Sequence, residues 1–74
     1  MAKTFKIVKH RKDSRLLIAK AIEGATNDQL FSNMGGPAFD GFCQKNATYV
    51  EFASFGADAA RRALVKAGWE ELGA

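Results

Sequence analysis

With one cysteine in 74 residues, the chain cannot form an internal disulfide, so its stability must come from burial. It begins Met-Ala-Lys, and no apolar stretch is long enough for a signal peptide or a membrane span. Cytoplasmic residence is therefore expected, with no membrane partner. Catalytic constellations are also missing, because no paired carboxylates, metal-ligand cluster or nucleophile elbow can be found. The single histidine, His10, sits among cations that disfavour a metal, and Cys43 reads as a buried, inert thiol. No enzyme, cofactor, metal or small-molecule ligand is expected. The first twenty residues are poor in acid: Lys3, Lys6, Lys9, Arg11, Lys12, Arg15 and Lys20 face Asp13 alone, an excess of +6. The remaining residues carry four cations against seven carboxylates, −3, so the net +3 conceals a strong separation of charge.

What is present suffices for one domain spanning residues 1–74. Hydrophobic residues make up 47% and charged residues 26%, with six Phe and a Trp, a composition that folds rather than remaining disordered. A chain of this length buries only about 60% of the surface its unfolded form exposes, so the margin of stability is small.

Periodicity predicts the elements. Lys3–Lys9 alternates, with Phe5 and Ile7 on one side and Lys6 on the other, although Val8 falls on the Lys side. His10–Asp13 makes a polar, basic connection. Ser14–Ile22 reads as a short helix with Leu17, Ile18, Ala21 and Ile22 as its apolar stripe and Gly24 as its stop. The competing reading makes Leu16–Ile22 a strand in a hairpin with the first, with the basic segment at the hairpin tip. Thr26 or Asn27 caps a helix that reaches Met34 and points Leu30, Phe31 and Met34 inward, and Gly35-Gly36-Pro37 ends it as a turn. Residues 38–44, with Phe39, Phe42 and Cys43 around Gly41, suggest the first arm of a hairpin, and Lys45-Asn46 its connection. Thr48, Val50 and Phe52 alternate with Ala47, Tyr49, Glu51 and Ala53, the clearest strand pattern, with Tyr49 on the open face. Ala60, Ala63, Leu64 and Ala67 line a helix over 57–67, with Gly68 beyond its end and Asp58 facing Arg62 four residues on. Trp69 and Leu72 then pack back on the sheet as a short last strand. The predicted fold is α+β, in the order βαββαβ: a ferredoxin-like split βαβ with an antiparallel sheet and two helices on one face.

The segment Lys45-Asn46-Ala47-Thr48-Tyr49-Val50-Glu51-Phe52 resembles the third-strand signature of the RNA recognition motif, and Ala59–Leu64 is similar to that family's second helix. The resemblance covers residues 45–64. It implies that Lys45 meets phosphate and Tyr49 stacks a base of single-stranded RNA. Asn46 stands where the family has Gly, and Ala47 where it has a second stacking aromatic. In size and composition the chain is also similar to small phage-encoded inhibitors, anti-CRISPR proteins among them.

The expected function is thus that of a small basic binding module contacting nucleic acid or a nucleoprotein complex. Its candidate residues are Lys6, Lys9, Arg11, Lys12 and Arg15, with Lys45 and Tyr49 from the resemblance. The alternative is an inhibitor or adaptor docking on a protein with an acidic surface. A continuous basic surface would favour the first, and an apolar anchor such as Phe39 or Phe42 beside the cations would favour the second.

Overall fold

The computed structural model describes residues 2–36, 39 and 41–73. Two strands, β1 (Lys3–Lys9) and β2 (Leu16–Glu23), form an antiparallel hairpin in which Lys6 faces Lys20, Ile7 faces Ala19 and Val8 faces Ile18. The helix expected over 14–22 is therefore a strand, and the hairpin alternative is the one realised. The physical reason lies in the position of β2, hydrogen-bonded on one edge to β1 and on the other to β4 (Val50–Ala53). A central strand carries apolar residues on both faces: Leu17, Ala19 and Ala21 pack toward the core, with Leu16, Ile18 and Ile22 opposite. That doubling hides the period of two and counterfeits a helical stripe.

The first helix, α1 (Asn27–Met34), starts at a reciprocal capping box: Gln29 N–H donates to Thr26 Oγ1 at 3.2 Å, and Thr26 N–H donates to Gln29 Oε1 at 2.9 Å. Leu30 and Met34 are buried and Phe31 is half-buried, as the spacing predicts. Gly35 closes the helix at φ 128°, while Pro37 of the expected turn lies outside the described residues. Next come β3 (Cys43–Lys45) and β4, joined by a turn in which Asn46 N–H donates to Tyr49 C=O at 2.8 Å. The strand predicted from Ala47 thus begins three residues later. A 3-10 turn over Ser54–Gly56 leads into α2 (Ala57–Lys66), followed by Gly68 at φ 91° and by β5 (Trp69–Glu71).

The sheet order is β3-β4-β2-β1-β5. All neighbours are antiparallel except β1 and β5, which run parallel, so the sheet is mixed rather than antiparallel throughout. The element order is ββαββαβ rather than βαββαβ, because the segment after β1 that reads as a helix, Leu16–Glu23, is a second strand.

Both helices cover one face. Phe5, Val50, Phe52 and Trp69 from the sheet meet Leu30, Met34, Ala57, Ala60 and Leu64 from the helices in one buried cluster. Each of the larger side chains contributes about 1.5–3 kcal/mol by burial. Trp69 sits edge-on to Phe5 and donates its indole N–H to Asn33 Oδ1 at 2.7 Å, satisfying its polar atom. Lys3 Nζ reaches the Ala67 carbonyl at 2.8 Å, at the end of α2, and so leaves the basic cluster. Among the described residues Asp58 and Arg62 form no ion pair; Arg61 instead binds Glu71 through two contacts of 2.9 and 3.2 Å. No helix in the described residues is long and apolar enough to cross a membrane.

Candidate nucleic-acid interface

Strand alternation turns a second set of residues to the face the helices leave open. Its rows follow from the register. Phe42, Ala53 and Leu16 make one row, as Ala53 pairs with Leu16 and donates to the Phe42 carbonyl at 2.9 Å. Gln44, Glu51, Ile18 and Val8 make the next. Lys20 and Lys6 make a third, and Tyr49 follows Lys20 in register, one residue beyond the Ala19–Val50 pair.

The basic loop between β1 and β2 is fixed onto this face by one side chain. His10 Nε2 lies 2.8 Å from Glu51 Oε2, and Asn46 Nδ2 donates to Glu51 Oε1 at 3.0 Å. The other ring nitrogen, His10 Nδ1, accepts from the backbone N–H groups of Lys12 and Asp13 at 3.0 and 3.1 Å. That pattern assigns the proton to Nε2, which donates to the carboxylate. The His10 and Glu51 side chains are only 17% and 18% exposed, so these contacts are largely shielded from water. Both ring nitrogens of His10 are thus engaged, and the side chain clasps the loop to β4. Farther round the loop, Asp13 Oδ1 accepts from Arg15 N–H at 2.9 Å and both carboxylate oxygens meet the guanidinium at 3.1 Å. These hydrogen bonds from Arg15 hold the Asp13 carboxyl below its ordinary range and raise the guanidinium correspondingly.

Beside the clasp, a groove of about 610 Å³ has Val8 and Ile18 for its floor and Lys9, Arg11, Lys12 and Lys20 around it, with Tyr49 at one end. Of the residues singled out in the sequence, Lys9, Arg11, Lys12 and Tyr49 are therefore brought together. Lys6 adjoins them through its pairing with Lys20. Arg15 points away, 87% exposed and bound to Asp13, and lines a different concavity with Phe42 and Phe55. Lys45 is also elsewhere, with Nζ 3.2 Å from Asp28 Oδ1 in the first turn of α1. The resemblance puts Lys45 and Tyr49 on one strand; they occupy the end of β3 and the turn before β4.

Sequence reasoning missed Lys20, because a helix over 14–22 gives it no relation to Lys6. It also missed Phe55, 74% exposed between β4 and α2. Phe39, one of two candidate anchors, is half-buried and packs edge-on against Phe52 at 6.0 Å, whereas Phe42, the other, is 46% exposed. Cys43 is half-buried, and that burial raises its thiol above the ordinary value. No group of three or more metal-ligating side chains occurs among the described residues. Comparison with protein-family models, with curated proteins and with solved structures finds no match for the chain.

Proposed function

We propose that this chain is a small, non-enzymatic, cytoplasmic binding module that takes the phosphate backbone of a nucleic acid, free or within a nucleoprotein complex. The contact runs along the basic hairpin loop and the open sheet face beside it. One observation carries this reading: Lys6 and Lys20 stand directly opposite each other, and neither forms an ion pair among the described residues. Like charges in directly opposed sheet positions cost stability, and folding gains nothing from them. A polyanion laid over the face converts that cost into binding. Lys9, Arg11 and Lys12 extend the same surface around the groove, and phosphate contacts from such a row release counterions. Tyr49 offers a ring for a base where the bound strand is single.

The frame from β2 to β5 supports the split βαβ, ferredoxin-like reading, with β1 inserted between β2 and β5. The helices are on the far face, so this sheet surface is open to a partner.

The test is fluorescence anisotropy with labelled duplex DNA, single-stranded DNA and RNA at ~50 and ~200 mM salt, the range over which phosphate-driven affinity collapses. Binding should weaken steeply with salt and be lost when Lys9, Arg11 and Lys12 are replaced by Glu. Absence of binding to all three at low salt would sink the reading.

A second reading, an inhibitor or adaptor docking on a protein in the manner of anti-CRISPR proteins, is favoured by a separate observation. Phe42 and Phe55 remain exposed next to Arg15.

A further inference from the structure

We infer that Phe42, Phe55 and Arg15 form a docking surface for an acidic peptide segment that carries a bulky apolar side chain. The inference rests on the second reading above and gives it a place on the molecule.

The surface is built rather than incidental. Phe42, Ala53 and Leu16 form the last row of the open face, and Phe55 joins them to enclose a concavity of about 520 Å³. The 3-10 turn that carries Phe55 is tied to the hairpin, because Ser54 N–H donates to the Arg15 carbonyl at 2.8 Å. The Phe55 ring lies against the backbone of Gly41, where a Cβ would come within 2.4 Å of its Cζ. Gly41 is at φ 111°, a conformation that favours glycine, and its missing side chain leaves room for the ring. A ring held on two sides and 74% exposed is presented to something.

The surrounding charge selects the occupant. A neighbouring concavity shares Asp13, Leu16 and Ser54 with this one and brings Lys9, Arg11 and Lys12 to its border. Asp13 is the sole carboxylate among the described residues lining either, and Arg15 already engages both its oxygens. An incoming group therefore meets two rings and an aliphatic floor, rimmed by cations. A second copy docking through the same surface would bring its own cations to that rim. A neutral apolar segment would leave the cations without partners. A nucleotide would set a base, whose edge needs polar partners, on a floor made by Leu16 and Ala53. A peptide with a Leu, Phe or Trp flanked by Asp or Glu satisfies both the rings and the rim.

The experiment is selection of a random twelve-residue display library on the wild-type chain, with Phe42→Ser/Phe55→Ser as counter-selection and thermal melting to confirm that this variant is folded. Enriched sequences should share an apolar residue flanked by acids. A synthetic peptide of that sequence should bind at least about tenfold more weakly to Phe55→Ala, lose affinity as salt rises, and be indifferent to Lys6→Glu. Enrichment of peptides insensitive to Phe55→Ala would overturn the site while leaving protein docking as a function. Failure to enrich any peptide, or enrichment of peptides without acids, would overturn the inference. So would loss of oligonucleotide affinity in Phe55→Ala, which would assign the rings to nucleic acid.

Discussion

The clasp between the basic loop and β4 can be tested by exchanging the polarity of one hydrogen bond. Asn46 donates to Glu51 Oε1 at 3.0 Å, and the other carboxylate oxygen is occupied by His10. Asn46→Asp replaces this donor with a second carboxylate at nearly the same place. At about 3 Å two unit charges repel by roughly 1.4 kcal/mol in bulk water and roughly 5.5 kcal/mol at an effective dielectric of 20. Loss of a hydrogen bond to a charged group adds about 1.5–3 kcal/mol, so a destabilisation of at least about 3 kcal/mol is expected. For a domain of this size each kcal/mol lowers Tm by about 4–8 °C, and the fall should exceed roughly 10 °C. Protonation of one carboxylate relieves the repulsion, so the deficit should shrink as pH falls toward the carboxylate range. The decisive variant is the exchange, Asn46→Asp with Glu51→Gln. The new amide can then donate to the new carboxylate and still accept from His10, whose Nδ1 is already committed to Lys12 and Asp13. Urea melts of the wild type, both single variants and the double variant give the coupling. The double variant should recover most of the stability lost in Asn46→Asp. Recovery of nothing, or an Asn46→Asp variant as stable as the wild type, would refute the clasp.

Three further outcomes follow from the geometry. Gly24 is at φ 76°, and a Cβ there would lie 2.3 Å from the Ala2 carbonyl oxygen, a backbone atom that can yield only if β1 shifts; Gly24→Ala should cost roughly 2–3 kcal/mol in a urea melt, and a neutral result would mean that the start of β1 moves freely. Lys6→Thr removes the opposed lysine pair, so it should stabilise the fold by a few tenths of a kcal/mol while lowering the salt dependence of oligonucleotide binding by about one unit of slope; unchanged stability would show that the pair is not under strain. Burial raises the Cys43 thiol, so Ellman's reagent at pH 8 should react with the folded chain more slowly than with the chain in urea. A raised thiol favours the folded state below the unfolded value and loses that contribution as pH rises through the alkaline range. Equal reaction rates would show that Cys43 is open to solvent.

How much of the fold could be read depended on where each signal was local. The Thr26 cap, the inward Leu30 and Met34, and the alanine stripe of α2 lie within one or two helical turns, and each is realised. Leu16–Glu23 was misread because a central strand is apolar on both faces, and no residue within it records which neighbours it has. A helical reading of that segment leaves β1 without its hairpin partner and contains no parallel β1–β5 edge. Arg61 shows the same limit: its partner Glu71 lies ten residues on, across the turn to β5, whereas the Asp58–Arg62 pair expected from helical spacing is not formed among the described residues.

The candidate site was legible as charge but not as a surface. Composition alone marks the excess of cations in residues 1–20, yet the order of those cations in space is set by hairpin register, which couples Lys6 to Lys20 and parts both from Arg15 and Lys45. The clasp at Glu51 joins residues 41 positions apart, so nothing in the sequence around His10 announces it. Register also separates the two surfaces: a shift of β2 by one residue would turn Lys20 to the core and Ala19 outward. The buried Ala19, packed against the helices, excludes that shift. The core thereby fixes which lysines stand opposed on the open face, and the electrostatic cost of that pair is imposed by packing rather than chosen locally. One substitution at Lys6, which is exposed, would relieve it and leave the core untouched. The opposed pair, in the row adjoining the loop's cations, is therefore the observation on which the proposal that the open face meets negative charge rests.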